Sequence, residues 1–175
     1  RQELVREAGA DIALWQETKL HQKHAGGNTV QESVPKGYKA YWSSSKSGKG
    51  GVGVWFREEL TADRHLTKYA TPVGTAGYLQ MFRLRSSGQS TLLFNVYLPG
   101  DCRDTRNKVW GAILAQMKEH TKDHVIIGGD YNAVWKAEHR SGGQMRAKDA
   151  EFVGWASAFG LSRVHTDERR TWETD

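Results

Sequence analysis

The sequence has few of the residues that form cross-links or long apolar segments. Its 175 residues include one cysteine, Cys102, which excludes an intrachain disulfide and a zinc site built from several cysteines. No apolar run approaches the ~18 residues of a membrane-spanning helix, and the charged first residues do not resemble a signal peptide. We therefore expect no membrane association and a reducing compartment. Because the first residue is not methionine, we also expect the sequence to be part of a longer chain.

The charge balance is basic. Lysine and arginine number 25 against 20 aspartates and glutamates, which gives a net charge of +5 and a pI of about 9.4. Hydrophobic residues at 38% and charged residues at 26% are typical of a globular chain rather than a disordered one. A basic domain suits a polyanionic partner such as nucleic acid, but a charge of this size also serves solubility. Composition alone leaves both interpretations open.

The hydrophobic periodicity predicts a mixed α/β chain. Helices are expected at residues 2–8, 106–120 and 147–159, where apolar residues recur at helical spacing. Alternating or continuous apolar runs predict strands at residues 10–15, 38–43, 52–56, 78–85, 91–98 and 125–127. The strands come mostly in hairpin-like runs, with helices between some of them. This order indicates two packed sheets with helices outside, in one domain covering residues 1–175.

Polar side chains follow three of the predicted strands. They belong to the motifs Gln16-Glu17-Thr18-Lys19, Asn95-Val-Tyr97-Leu-Pro99 and Gly128-Gly-Asp130-Tyr-Asn132. Taken singly, each has an ordinary structural explanation. Glu17 suits a solvated turn, Tyr97 suits half-buried packing, and the third motif suits a tight turn. Their joint occurrence at strand ends favours a functional site held by a rigid scaffold.

The chemistry that fits these residues is phosphodiester hydrolysis. A hard cation such as Mg²⁺ neutralises charge that develops on the phosphoryl oxygens, and one or two carboxylates are enough to hold it. Glu17 suits the metal-ligand role, and Asp130 suits the residue that orients or deprotonates water. Asn132 and Tyr97 can donate hydrogen bonds to the non-bridging oxygens. The paired glycines are expected to allow a close approach of backbone and substrate.

These motifs, together with Gly51-Val-Gly-Val, resemble those of the exonuclease–endonuclease–phosphatase superfamily in order and spacing. Within its apurinic-endonuclease-type branch, the sequence is most similar to the endonuclease domains of non-LTR (LINE-type) retrotransposons, over residues 8–172. The resemblance implies a DNase I-like fold, a two-sheet sandwich flanked by helices. It implies that Glu17 binds the metal, Asp130 positions or activates water, Asn132 contacts phosphate and Tyr97 lies near the scissile phosphate. Lys19 takes the position of a lysine close to the metal-binding glutamate, where it can bind substrate.

The resemblance implies an enzyme that nicks target DNA for retrotransposition with Mg²⁺ or Mn²⁺. DNA is then the partner, a longer polyprotein with reverse transcriptase is the context, and the location is intracellular and nuclear. Two alternatives remain open at this point. One is a repair endonuclease for apurinic sites, or another phosphodiesterase such as a phosphatase or sphingomyelinase-type hydrolase. The other is a binding module or a catalytically dead remnant that keeps the fold.

Two parts of the family pattern are missing from the sequence. The family begins with an asparagine-bearing strand before the first helix, and it ends with an aspartate-bearing strand and a Ser-Asp-His motif. None of the seven histidines here has that context. We therefore expect a domain that lacks the first strand and the C-terminal strands.

Because the family's catalytic histidine has no counterpart, we predict that these 175 residues alone have little or no hydrolytic activity. The measurement is nicking of supercoiled plasmid by the purified chain in Mg²⁺. Nicking that disappears in a Glu17→Ala variant would show this prediction to be wrong.

Overall fold

The computed structural model describes residues 5, 7–19, 34–44, 50–61 and 65–162. The chain forms two compact units, Arg1–Asp130 and Tyr131–Asp175. The expected first helix is described only at Val5, Glu7 and the turn that follows, where Gly9 has a left-handed backbone (φ 58°). The predicted loop at residues 20–36 lies mostly outside the described residues.

The first sheet of the first unit has three antiparallel strands in the order β1-β3-β2. They are β1 (Ile12–Trp15), β2 (Tyr38–Ser43) and β3 (Val52–Arg57). The central strand β3 is buried along Val52–Phe56 because it has a neighbour on each side and packs on the second sheet. Its register pairs Gly53 with Trp15 and Trp42. A Cβ at Gly53 would lie 2.2 Å from the Trp42 ring, so glycine leaves the space that the indole fills.

The second sheet has four strands in the order β4-β5-β6-β7. They are β4 (Leu66–Lys68), β5 (Leu79–Ser86), β6 (Gln89–Tyr97) and β7 (His124–Asp130). β5 and β6 form a hairpin whose turn residues, Ser87 and Gly88, have φ values of 50° and 79°, as the right-handed twist of hairpins favours. β6 and β7 are parallel, and the crossover between them is helix α1 (Arg103–Glu119).

The core lies between the two sheets and beneath α1. Phe56 of the first sheet meets Phe82 of the second in an edge-to-face contact, with ring centroids 5.0 Å apart. Val54 and Leu93 complete this buried cluster. On the other face of the second sheet, α1 contacts β6 and buries three side chains at helical spacing, Val109, Trp110 and Ile113.

A buried amide connects the two sheets. The Asn95 side chain is fully buried, and its Nδ2 donates to the Gly53 carbonyl at 2.8 Å and to the Trp15 carbonyl at 3.3 Å. Its Oδ1 accepts a hydrogen bond from Gln16 Nε2 at 2.7 Å. Next to it, Gln80 Nε2 donates to the Tyr41 carbonyl at 3.0 Å. Because an unpaired buried amide costs free energy, these bonds restrict how the sheets can pack on each other.

The second unit is organised around helix α2 (Ala147–Ala158). Asp149, fully buried, accepts hydrogen bonds from the Arg146 and Val134 amides and from the Arg140 guanidinium. Burial alone would raise the pKa of Asp149, but these donors outweigh it and lower the pKa below its usual value. Phe152 packs on the rings of Tyr131 and Trp135.

The architecture agrees with the predicted fold class, two packed sheets with helices on the outside. The strand predicted at residues 38–43 is confirmed to the residue, and α1 begins three residues earlier than predicted, at Arg103 rather than residue 106. Trp15, at the end of the apolar run that predicted β1, is only half-buried. Among the described residues, no helix has the length and apolar character needed to cross a membrane.

The amide connection predicts a large stability difference between two asparagines. Asn95→Ala should lower the free energy of unfolding by about 2–4 kcal/mol, because it leaves buried carbonyls and the Gln16 amide without partners. Asn107→Ala, at an exposed position of α1, should change it by less than about 0.5 kcal/mol. Urea denaturation of both variants measures the difference, and equal effects would contradict the role of Asn95.

Candidate active site

Glu17 lies in a tight loop directly after β1. Glu17 and Lys19 both have left-handed backbones, with φ values of 48° and 53°. This conformation costs roughly 1–2 kcal/mol for a residue with a side chain, so the surroundings must hold it. The Thr18 amide donates to the Gly51 carbonyl at 3.1 Å, and the Lys19 amide donates to the Gly50 carbonyl at 2.9 Å. The segment before β3 therefore holds the loop that carries Glu17.

The structure brings Glu17 and Tyr97 together across the two sheets. The Tyr97 hydroxyl, at the end of β6, donates to Glu17 Oε1 at 2.6 Å. This length is typical of a hydroxyl bonded to a charged carboxylate. The Glu17 side chain is exposed and Tyr97 is half-buried, so the pair lies at the surface with the tyrosine packed partly into the protein. Asn95, two residues earlier on the same face of β6, is by contrast a buried structural residue.

Asp130 ends the strand next to Tyr97. The parallel register of β6 and β7 places Tyr97 beside Asp130, and the Leu98 amide donates to the Asp130 carbonyl at 2.8 Å. Three predicted site residues of the first unit, Glu17, Tyr97 and Asp130, thus follow or end β1, β6 and β7. Lys19 is exposed, two residues beyond Glu17. Asn132 belongs to the second unit, where its backbone is left-handed (φ 49°), a conformation that asparagine tolerates.

At the two glycines before Asp130, a side chain would collide with neighbouring protein atoms. A Cβ at Gly128 would lie 2.4 Å from Leu14 Cδ1, and a Cβ at Gly129 would lie 1.9 Å from the Val96 carbonyl oxygen. Gly129 also has a φ of 141°, which side chains rarely adopt. The sequence interpretation assigned these glycines to close approach of the substrate. The structure gives a different reason, because they let β7 pack against β1 and β6.

The donor set at Glu17 fits a hard divalent cation. A carboxylate has about four acceptor positions, of which the Tyr97 hydroxyl takes one. Mg²⁺ needs only one or two carboxylates because it keeps several waters. Within the described ranges, no three histidine, cysteine, aspartate or glutamate side chains lie together as a metal-binding group. A single carboxylate with acceptor positions beyond the Tyr97 bond is compatible with Mg²⁺ or Mn²⁺ held largely by water.

Sequence reasoning did not identify two structural contributors to the site. Gly51 was noted only as part of the Gly51-Val-Gly-Val motif and Gly50 was given no role, yet the carbonyls of both accept hydrogen bonds from the loop that carries Glu17. Tyr78 was expected only at the start of a strand, yet its ring stacks on Tyr97. The Gly50-Gly51 pair was the available signal, since adjacent glycines often mark a close backbone approach.

One known protein family matches nearly the whole chain. The sequence profile of the Endonuclease/Exonuclease/phosphatase family matches residues 2–174. The chain belongs to this family. The predicted family is thereby confirmed. No curated protein shows a significant match to the chain.

Solved structures with the same fold include three nucleases. The endonuclease domain of TRAS1, a telomere-specific non-LTR retrotransposon, has a TM-score of 0.65 and 17% identity over 98% of this chain and 68% of its own. The AP endonuclease LMAP from Leishmania major has a TM-score of 0.65 and 16% identity over 89% of this chain and 59% of its own. The 3'-5' exonuclease NExo from Neisseria meningitidis has a TM-score of 0.60 and 16% identity, covering 89% and 64%.

The TM-scores of 0.60 to 0.65 show a common fold, and at identities of 16% to 17% the likeness shows the fold alone. The chain spans 59% to 68% of the length of the three structures. The predicted DNase I-like two-sheet architecture is confirmed at this level, whereas the roles of the individual site residues stay predictions.

The packing of β7 yields a prediction about two glycines. Gly129→Ala should destabilise the protein by about 3 kcal/mol or more, because the new Cβ meets the Val96 carbonyl in a strained backbone. Gly111→Ala, in the middle of α1 with open space around it, should stabilise the protein by about 0.5–1 kcal/mol. Thermal unfolding of the two variants checks the opposite signs, and a neutral Gly129→Ala would contradict the packing role.

Proposed function

We propose that this chain carries the metal-binding and phosphate-binding part of a divalent-metal-dependent endonuclease that hydrolyses DNA. The observation that carries the proposal is the hydrogen bond of 2.6 Å between the Tyr97 hydroxyl and Glu17, in a chain of this family. It holds the exposed Glu17 carboxylate against Tyr97, whose neighbour on the parallel strand β7 is Asp130. A pre-organised carboxylate of this kind is what cleavage of a charged phosphodiester needs.

The proposed roles follow from the chemistry of each side chain. Glu17 would hold Mg²⁺ or Mn²⁺, which supplies positive charge to the phosphoryl oxygens and the leaving group. Asp130 orients a water molecule and accepts its proton. Tyr97 fixes the Glu17 carboxylate with its one hydroxyl proton, and when substrate is bound it can donate that proton to a phosphate oxygen instead. Lys19 contributes a positive charge to the phosphate. The role of Asn132 as an amide donor to phosphate rests on its place in the Gly128-Gly-Asp130-Tyr-Asn132 motif.

The basic composition supports DNA as the substrate. With a net charge of +5, the chain favours a polyanion over a small neutral substrate. We propose target-DNA nicking for retrotransposition, within a polyprotein that includes reverse transcriptase and acts in the nucleus. Support for this role comes from the Glu-Thr-Lys and Asn-Val-Tyr-Leu-Pro motifs. The TRAS1 endonuclease domain, whose fold covers 98% of this chain, is consistent with it.

Metal binding through Glu17 is the direct test. Glu17→Gln keeps the size and the acceptor for Tyr97 but removes the charge, so its Mn²⁺ affinity should fall by about tenfold or more. Glu59→Gln is the matched control, because Glu59 is an exposed carboxylate on the short 3-10 helix Glu58–Thr61 that follows β3. Electron paramagnetic resonance of free Mn²⁺ gives both affinities. Unchanged affinity in Glu17→Gln, or equal losses in both variants, would refute the metal site.

Substrate preference separates the proposal from a repair role. We expect similar affinity for an intact duplex and for the same duplex with one abasic site, measured by fluorescence anisotropy in Mn²⁺. Binding should weaken in Lys19→Gln and with rising salt, since phosphate contacts release counterions. A preference of more than about tenfold for the abasic duplex, worth about 1.4 kcal/mol, would favour the repair alternative. No binding to either duplex would contradict DNA as the substrate.

A further inference from the structure

The Tyr97 ring is held by a second tyrosine. The rings of Tyr78 and Tyr97 stack with centroids 6.0 Å apart and an interplanar angle of 7°. The Tyr97 amide donates to the Tyr78 carbonyl at 2.8 Å, so backbone and ring are both fixed to the same neighbour. Offset stacking of this kind stabilises a ring pair beyond the area it buries. The orientation of the Tyr97 hydroxyl thus depends on a residue that does not touch Glu17 itself.

Gly50 limits the same ring from close range. A Cβ at Gly50 would lie 3.2 Å from Tyr97 Cδ1 and 3.1 Å from the Gly77 carbonyl oxygen. The turn before Tyr78 is joined to this segment, because the Gly51 amide donates to the Gly77 carbonyl at 2.9 Å. Ser43 Oγ in turn accepts a hydrogen bond from the Gly77 amide at 3.1 Å. The ring of Tyr97 therefore has little freedom to rotate away.

The same glycines hold the acceptor of the Tyr97 hydrogen bond. The carbonyls of Gly50 and Gly51 accept the Lys19 and Thr18 amides, on the carboxyl side of Glu17. The Tyr97 donor and the Glu17 acceptor are thus both positioned by the same short backbone segment, Gly50 and Gly51. Tyr78 is the side chain that adds to this arrangement, and its hydroxyl has no hydrogen-bond partner within the described residues. Its ring, rather than its hydroxyl, supplies the constraint.

We propose that Tyr78 is a positioning residue, whose ring stacks on Tyr97 and thereby sets the orientation of the Glu17 carboxylate for a divalent cation. The inference rests on the proposed function, because it assumes that Glu17 binds the metal. It predicts that removing the ring weakens metal binding although Tyr78 itself has no ligand atom in the site. It also predicts that removing only the Tyr78 hydroxyl has no effect.

The first measurement is the Mn²⁺ affinity of Tyr78 variants. Tyr78→Leu, which keeps apolar volume but loses the stack, should weaken Mn²⁺ binding by about tenfold, as loss of a group supporting a metal ligand commonly does. Tyr78→Phe should match the wild type. Tyr69→Leu is the matched control, since Tyr69 is a half-buried tyrosine whose hydroxyl pairs with His120 Nε2 instead. If Tyr78→Leu fails to fold, the adaptable side chain of Tyr78→Met carries the same test.

The second measurement needs no metal. Tyr97→Phe removes the hydrogen bond to Glu17, and its effect on the urea midpoint should be smaller in a Tyr78→Leu background than in the wild type. Wild-type Mn²⁺ affinity in Tyr78→Leu, equal losses in Tyr78→Phe and Tyr78→Leu, or additive effects in the urea cycle would overturn the role of Tyr78. If Glu17→Gln loses Mn²⁺ affinity and Tyr78→Leu does not, the proposed metal site at Glu17 stands and only the role of Tyr78 is rejected. Absence of Mn²⁺ binding by the wild type would instead reject the proposed function.

Discussion

The packing of the two sheets depends on the buried amide of Asn95. Hydrophobic contacts such as Phe56 against Phe82 are non-directional and would tolerate a small slide of one sheet on the other. The Asn95 amide does not tolerate it, because its donors and acceptor are matched to the Trp15 and Gly53 carbonyls and to Gln16. A slide would leave these groups unpaired in the interior. The amide thus converts general apolar packing into one defined alignment.

That alignment determines where the candidate site forms. Gln16, held by Asn95, is the residue before Glu17, and Tyr97 is two residues after Asn95 on the same strand face. One part-buried hydrogen bond, from Gln16 to Asn95, therefore helps to fix both ends of the exposed bond between Tyr97 and Glu17. An exposed hydrogen bond contributes little stability by itself, since water competes for both partners. Its geometry is defined because the buried contacts beneath it are strong.

The sequence predicted the elements better than their contacts. β2 was predicted to the residue because it is rich in aromatic residues, which favour strands. The start of α1 was predicted three residues too late, because its N-cap, Cys102, is not one of the residue types that mark a helix start in a sequence. β7 was predicted to end at residue 127, since glycines usually interrupt strands. Pairing with β6 carries it on to Asp130, because tertiary pairing overrides the local preference of Gly128 and Gly129.

For the site, the sequence predicted candidate residues and a chemistry for them but not the contacts that support them. The motifs at Glu17, Tyr97 and Asp130 were visible because polar residues follow apolar strands. The stacking of Tyr78 and the carbonyls of Gly50 and Gly51 could not be predicted, because they connect residues far apart in sequence.

The backbone at Glu17 shows why that support has to exist. Two left-handed residues in one short loop are unfavourable, and a free chain would relax into an extended conformation. The loop keeps this shape because the amides that follow Glu17 donate to the carbonyls of Gly50 and Gly51. Residues 50 and 51 are glycines because a Cβ at either position would crowd Tyr97 or Thr18. The strained backbone at Glu17 therefore depends on glycine at residues 50 and 51. A carboxylate held in a strained loop loses little further entropy when it binds a cation, so the constraint favours the ligand role that the side chain's chemistry suggests.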